Sequence, residues 1–191
     1  MHYIEKKGTR FEIKNYLWNN NEYRPETFVT VGYDDGGYKV HFVSYETELK
    51  CVQVEHNTEI FKDSCMELFM QFAPETDENY INFEINPNGA VYCALTTNRE
   101  TYQKIAPNII DTLGVKTKIY DDRWEIDYYI SKEYIQNLIP TYEHKEGIII
   151  RGNFYKCGDK KHYPHHGCFN KIECEKPDFH RPEFFTEFKL V

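Results

Sequence analysis

The clearest pattern in this chain is a strict alternation of apolar and polar residues in two segments near its middle. The even positions from Met66 to Phe72 are apolar, and so are the odd positions from Ile81 to Ile85. A period of two places alternate side chains on opposite faces of a β-strand, so each segment predicts a strand with one face in the core.

Similar short runs, separated by turn-rich segments, recur along the chain. Residues 27–45 and 115–130 each predict a hairpin, residues 147–155 another strand, and residues 184–191 the closing strand. One short helix is predicted after Ser131, which can cap it, and before Pro140, which ends it. The fold class is therefore all-β, an antiparallel β-sandwich of jelly-roll or immunoglobulin-like type with one short helix. No repeat or linker divides residues 1–191, which predicts a single domain.

Matching the apolar faces of the two central strands fixes their register. The pairing that sets Leu68 opposite Phe83 also sets Glu67 opposite Glu84. The turn at residues 86–89 suits a hairpin with a left-handed glycine, which brings Tyr92 beside Glu84. The sequence thus predicts a polar face, open to ligand, that carries Glu67, Asn82, Glu84 and Tyr92.

Two facing carboxylates destabilise a sheet by up to about 1 kcal/mol unless a cation or donor group relieves them. The candidates to do so are Arg99, Arg151, Asn153, Lys156 and Arg181. Sugar hydroxyls are an alternative, because carboxylates and arginines make the directional hydrogen bonds of polyol recognition.

Charge and composition exclude several classes of partner. The chain has 23 Lys and Arg residues and 31 Asp and Glu residues, which gives a net charge of −8. A nucleic-acid or anionic-membrane surface needs a basic face, so neither partner is expected. No leader-like start and no apolar run of membrane-spanning length is seen, and several of the six cysteines fall in strand-like segments. We therefore expect reduced thiols and a cytoplasmic location.

Four segments together resemble the family 9-like carbohydrate-binding proteins, relatives of the family 9 modules of xylanases and of DOMON-like β-sandwiches. These segments are residues 62–69, 80–89, 153–159 and 177–185. The resemblance implies a jelly-roll-like sandwich that binds a mono- or oligosaccharide without catalysis, through its polar and aromatic sheet face and the 153–183 loops. It places a sugar-binding glutamate at Glu67 and stacking aromatics near Phe179 and at about Phe61, where both residues are Phe instead of Trp.

The predicted ligand-binding set combines the polar face with these loops. Its members are Glu67, Asn82, Glu84, Tyr92, Arg151, Asn153, Phe179, His180 and Arg181. The loop from Phe179 to Arg181 would contribute an aromatic plane and a guanidinium fork. Alternatively, Phe179, Phe184 and Phe188 are core residues of the last strand and its approach.

No metal ligands are assigned from the sequence. The segment from Cys157 to Cys174 contains soft ligands, including His162, His165, His166 and Cys168, but it matches no common zinc motif. The resemblance makes calcium a possible cofactor, and the acidic pairs at residues 34–35, 77–78 and 121–122 could supply oxygen ligands.

Two other functions stay open at this point. Glu67 and Glu84 could be the acid and base of a glycoside-active enzyme, because facing residues on adjacent strands lie near the roughly 5 Å separation of retaining enzymes. A haem-binding domain of DOMON type would need methionine and histidine ligands, for which Met66, Met70 and His41 are the candidates.

Overall fold

The computed structural model describes residues 1–18, 21–158 and 163–191. Its strands, in chain order, are β1 (His2–Ile4), β2 (Thr9–Ile13), β3 (Asn15–Tyr16), β4 (Thr27–Asp34), β5 (Gly37–Ser44), β6 (Cys65–Gln71), β7 (Tyr80–Ile85), β8 (Val91–Thr96), β9 (Tyr102–Lys104), β10 (Lys116–Ile119), β11 (Trp124–Ser131), β12 (Ile149–Gly158), β13 (His165–Cys168) and β14 (Thr186–Leu190). The helices are α1 (Pro107–Ile110) and α2 (Lys132–Leu138), with 3-10 turns at Ile60–Lys62, Asp111–Leu113 and Pro182–Phe184.

The strands of the described chain form two sheets, which confirms the predicted sandwich. The larger sheet has the order β1-β14-β12-β6-β7-β8-β9, and β13 joins it beside β12 and in turn pairs with β3. The smaller sheet has the order β10-β11-β5-β4-β2. Strand β12 is long enough to pair with β14 along its first half and with β13 along its second.

The predicted register of the central strands is confirmed. Leu68 lies opposite Phe83 and Glu67 opposite Glu84, and the next hairpin sets Glu84 opposite Tyr92. The turn between β7 and β8 has its glycine at φ +79°, a backbone conformation that favours glycine because other residues carry a Cβ atom. The predicted helix is also present, since the Ser131 hydroxyl accepts a hydrogen bond from the backbone of Tyr134 in α2 at 3.0 Å.

The core lies between the two sheets. The inner face of the larger sheet contributes Leu68, Phe83, Phe154 and Phe188, and the smaller sheet contributes residues such as Trp124, all of them buried. Alternation therefore assigned the inner faces correctly, and Phe188 and Trp124 are core residues, as expected from their strand positions.

The outer face of the larger sheet is largely covered, so the predicted open face is reduced to a cavity over part of the sheet. Phe69, Tyr80 and Tyr155 point outward from β6, β7 and β12 and form a second apolar cluster with Phe179 and Phe185 of the C-terminal segment. This segment connects β13 to β14 along the chain and crosses the outer face of the sheet. It therefore shields outward-facing side chains that alternation alone would leave in solvent.

Two of the six cysteines lie opposite each other in the larger sheet. Cys65 on β6 lies directly opposite Cys157 on β12, on the outer face, whereas Cys93 lies in the inner core. All six cysteines are free thiols in this structure. Neither described helix is long and apolar enough to cross a lipid bilayer.

Candidate functional site

A cavity of about 400 Å³ opens on the outer face of the larger sheet. Its floor carries Glu67, Asn82, Glu84 and Tyr92 from β6, β7 and β8, which are four of the residues that the sequence predicted for a ligand site. Loops and the edge strand β9 provide the walls, whose polar and aromatic members include Asn57, Thr58, Glu59, Phe61, Asn98, Arg99, Tyr102, Lys104, Asp178, Phe179 and His180. The volume falls within the roughly 300–1,000 Å³ range of small-molecule sites.

The two glutamates of the floor are almost completely buried. Glu67 is 2% and Glu84 is 5% exposed. Glu67 Oε1 accepts a hydrogen bond from the Cys157 thiol at 3.0 Å, and Glu84 Oε1 accepts one from the Asn82 amide at 3.0 Å. Glu84 Oε2 has no hydrogen-bond partner in the described part of the chain. A buried oxygen without a partner is costly, so a ligand donor that reaches it would gain affinity.

Burial determines the protonation of this pair. It raises the pKa of Glu84 to about 7, although the Asn82 amide and the charge of Arg99 act in the opposite direction. It also raises the pKa of Glu67 well above its ordinary value, with a further contribution from neighbouring Cys157 and Glu84. Near neutral pH the pair therefore holds at least one proton, so it can both donate hydrogen bonds to hydroxyl groups and accept them.

The two phenylalanines expected to stack on a sugar, Phe61 and Phe179, both line the cavity, and their environments differ. Phe61 is 39% exposed. Phe179 is 8% exposed, and its ring stacks on Tyr155 with centroids 4.2 Å apart and planes 13° apart. The Phe179 ring thus belongs to the outer apolar cluster and also lines the cavity, and its stacking on a sugar stays a prediction.

Loop residues complete the polar lining. Arg99 binds Asp178 through two nitrogens at 2.9 and 3.1 Å, and Asp178 also accepts the backbone N–H of His180 at 3.0 Å. His180 Nδ1 lies 2.8 Å from the Tyr80 hydroxyl, and burial lowers the pKa of His180 to about 4. At neutral pH the imidazole is therefore uncharged, and Arg99 supplies a positive charge at the cavity wall.

Three predicted ligand residues lie outside the cavity lining. The Asn153 side chain is hydrogen-bonded to the backbone of Asn170 on both its amide nitrogen and its oxygen, at 2.8 Å each. Arg151 points toward the carbonyl oxygens of residues 182 and 185, each at 3.5 Å. Arg181 forms an ion pair with Glu183 at 2.6 Å. Arg151 and Asn153 therefore anchor the covering segment, and the guanidinium at the cavity is Arg99 instead of Arg181.

Lys156 cannot relieve the paired carboxylates either. Its ammonium lies 3.0 Å from Glu46 and 3.0 Å from His165 Nε2, and all three side chains are completely buried. Trp124 also donates to Glu46, at 3.1 Å. Since Lys156 alternates with outward-facing Cys157 along β12, its charge serves a separate cluster at the end of the inner core.

The soft ligands of the segment 157–174 do not gather into one site among the described residues. His162 lies outside them, His165 belongs to the buried ion cluster, and Cys157 faces the cavity. Cys168 contacts a backbone carbonyl of β3 at 3.5 Å, and Cys174 donates to its own loop at 3.1 Å. The zinc motif considered from the sequence is therefore not assembled.

The acidic pairs considered for calcium are occupied by protein donors. Asp34 pairs with Lys39 at 2.8 Å, and Asp77 accepts the backbone and side-chain amides of Asn79 at 2.8 and 2.7 Å. Asp122 pairs with an adjacent arginine at 3.0 Å. These carboxylates do not present the converging oxygen ligands that calcium needs. Calcium binding itself stays an untested prediction.

The candidates for haem ligation lie on different sheets. Met66 and Met70 are buried in the inner core, where side-chain packing explains them. His41 lies on the smaller sheet, where its Nδ1 contacts Asp127 at 2.9 Å. Nothing in this arrangement favours haem binding.

The cavity residues missed by sequence reasoning come mainly from irregular loops. Asn57 and Asn98 have no periodic pattern that would assign them to a face, and Lys104 lies on β9, a strand of three residues that is too short to show one. Cys157 could have been found, because extending the alternation of β12 to its end puts that thiol on the outer face, opposite Cys65.

Comparisons with known structures agree with this fold. The chain is similar to a candidate carbohydrate-binding protein from Bacteroides uniformis ATCC 8492, with a TM-score of 0.84, 24% identity and coverage of 97% of this chain and 87% of that one. It is also similar to a family 9 carbohydrate-binding module from Caldicellulosiruptor kristjanssonii, solved with glucose and with cellotriose. The TM-score is 0.70 in both cases, the identities are 12% and 13%, and 99% of this chain and 94% and 92% of those chains are covered.

Comparison of sequences is more specific about the family than comparison of folds. A search of curated proteins finds no match. The sequence model of carbohydrate-binding family 9, by contrast, matches residues 3–190. Because this match spans almost the whole chain, the protein belongs to carbohydrate-binding family 9.

Proposed function

We propose that the outer-face cavity binds a pyranose sugar, or the end of a short oligosaccharide, without cleaving it. Family membership supports non-catalytic carbohydrate binding as the class of function. The related module from Caldicellulosiruptor kristjanssonii was solved with glucose and with cellotriose, which makes gluco-configured sugars the first candidates.

The observation that carries this proposal is the shared location of two aromatic rings and two buried carboxyl groups. Phe61, Phe179, Glu67 and Glu84 all line one cavity. A pyranose has C–H faces that pack on aromatic rings and hydroxyls that both donate and accept hydrogen bonds. Partly protonated carboxyl groups and the Asn82 amide match these hydroxyls in both roles, and Arg99 adds a charged donor.

The raised pKa values of both carboxyl groups favour binding over hydrolysis. A retaining glycosidase needs one ionised nucleophile beside one protonated acid. Here burial disfavours the ionised form of both Glu67 and Glu84, and Glu67 already accepts a hydrogen bond from a thiol. These features suit a static hydrogen-bonding floor.

Calorimetry with glucose and with cellotriose tests the proposal. We expect Glu67→Gln to weaken binding by roughly 0.5–1.5 kcal/mol, the net contribution of one typical hydrogen bond, because burial raises the pKa of Glu67 and favours its uncharged form. The matched control is Glu12→Gln, a change at an exposed strand position of the smaller sheet, which should bind like the original protein. Equal affinities for the two variants, or no heat with either sugar, would contradict the assignment of this cavity.

A further inference from the structure

Three side chains at the base of the cavity form a group that sugar binding does not explain. Cys65, Glu67 and Cys157 place one sulfur or oxygen atom each within 4.8 Å of one another. We propose that they form a binding site for a thiophilic divalent cation of the zinc type.

Strand pairing brings the three residues together. Cys65 and Cys157 are direct partners across β6 and β12, and Glu67 follows Cys65 on the same face, two residues along the strand. The Cys157 sulfur lies 3.0 Å from Glu67 Oε1. Cys65 and Cys157 form the last pair of the β6–β12 ladder, and Glu67 lies two residues farther along it, so ladder hydrogen bonds fix the backbone of the site.

The distances suit tetrahedral coordination. Zinc binds thiolate sulfur at about 2.3 Å and carboxylate oxygen at about 2.0–2.2 Å, so neighbouring ligand atoms lie roughly 3.3–3.8 Å apart. A group within 4.8 Å needs only small side-chain rotations to reach that arrangement. Two sulfur ligands select zinc, cadmium or cobalt over calcium and magnesium, which prefer oxygen.

The charges around the group also permit a cation. Two thiolates and one carboxylate carry three negative charges once their protons leave, and a divalent ion offsets two of them. The buried ammonium of Lys156 points to the other side of β12, where Glu46 neutralises it at 3.0 Å.

The cavity provides both the entry path and the fourth ligand position. Cys157 and Glu67 line it, whereas Cys65 lies behind them and is completely buried. A cation entering from solvent would therefore meet the first two ligands before the third, and water would complete its coordination from the cavity side.

Cobalt and cadmium titrations of the reduced full-length protein, without sugar, test this proposal. Thiolate ligation gives each metal a charge-transfer absorption band, and we expect that band to saturate at one equivalent. Zinc should displace cobalt, which binds such sites more weakly. The double variant Cys65→Ser/Cys157→Ser should lose the band, while Cys51→Ser/Cys174→Ser, which alters the two partly exposed thiols, should keep it.

A second measurement, on the original protein, keeps the test valid even if the double variant misfolds. Zinc should raise the melting temperature of the original protein, and magnesium at the same concentration should not, because only a cation that binds the native state stabilises it. No band in the original protein, or a band that the Cys51→Ser/Cys174→Ser variant loses, would overturn the proposal. Since no sugar is present, that result would leave the proposed sugar binding untouched.

Discussion

The two faces of strands β6 and β7 are buried to the same extent but carry different kinds of side chain. Inward-facing Leu68 and Phe83 are 2% and 0% exposed, and outward-facing Glu67 and Glu84 are 2% and 5% exposed. The inward face packs against a second sheet of apolar side chains. The outward face packs under irregular loops that leave a cavity over its carboxyl groups.

This difference separates the stability of the fold from its function. Apolar burial contributes roughly 25 cal/mol for each Å² removed from water, whereas burying a carboxyl group costs free energy unless hydrogen bonds offset it. A protein retains buried, poorly satisfied carboxyl groups where they serve a ligand. The inward face should therefore respond to substitution in stability, and the outward face mainly in binding.

The largest expected effect is on the inward face. Phe83→Ala should lower the free energy of unfolding by roughly 3–5 kcal/mol, because the lost ring leaves a cavity beside Tyr128 and Tyr134, each 6.1 Å away between ring centroids. Urea denaturation measures this change. The folded fraction should bind glucose like the original protein, and a stability loss below about 1 kcal/mol would contradict the tight packing assigned to this face.

Phe179→Ala should affect both properties, because its ring is shared between the outer cluster and the cavity. We expect a loss of roughly 2–4 kcal/mol in the free energy of unfolding, a little less than for a ring fully inside the core. Sugar affinity should fall in the same variant, measured by calorimetry at a temperature where the protein stays folded. Unchanged stability would contradict the stacking on Tyr155 as a structural contact.

Glu84→Gln should stabilise the protein above neutral pH by up to about 3 kcal/mol, at about 1.4 kcal/mol for each pKa unit. The pKa of Glu84 is about 7 in the fold, so between pH 4.5 and 7 the native state holds a proton that the unfolded chain has lost. The free energy of unfolding therefore falls as pH rises through this window and levels off above it.

Unfolding curves at pH 5 and pH 8 check this prediction. The difference between Glu84→Gln and the original protein should be small at pH 5 and largest at pH 8. Glu12→Gln, at an exposed position, should show no such dependence. A variant that is less stable at pH 8 would mean that the ionised carboxylate is satisfied in the fold, against the unpartnered Oε2.

The comparison of the inward and outward faces also explains how much of the structure could be predicted from the sequence alone. Alternation and turn chemistry were enough for the sandwich, for the pairing of Glu67 with Glu84 and for the inner core, because strand geometry translates sequence spacing directly into faces and neighbours. Four floor residues of the cavity followed from the same rule.

The covering segment and the cavity walls could not be derived in this way. Whether an outward-facing residue is exposed depends on where a loop about fifteen residues long returns, and loops of that length carry no periodic pattern. Arg151 and Asn153 share the outer face of the sheet with Glu67, so alternation could not tell that they anchor the loop. Arg99 reaches the cavity from a turn whose path only the structure gives.

The smallest expected effect, and the most selective for function, is at Phe61. Its ring is 39% exposed, so Phe61→Ala should change the free energy of unfolding by no more than about 0.5 kcal/mol. If the ring packs on a sugar, its removal should weaken binding by roughly 0.5–1.5 kcal/mol, the typical worth of an aromatic contact. Phe61→Trp should strengthen binding, because a larger ring covers more of a pyranose face.

The control variant is Tyr3→Ala. It removes a ring that is 55% exposed on β1 and does not line the cavity, and it should leave affinity unchanged. Calorimetry on these three variants separates the possibilities, because a plain surface ring would give the same result at positions 61 and 3, whereas a sugar platform responds at 61 alone and in opposite directions for Ala and Trp.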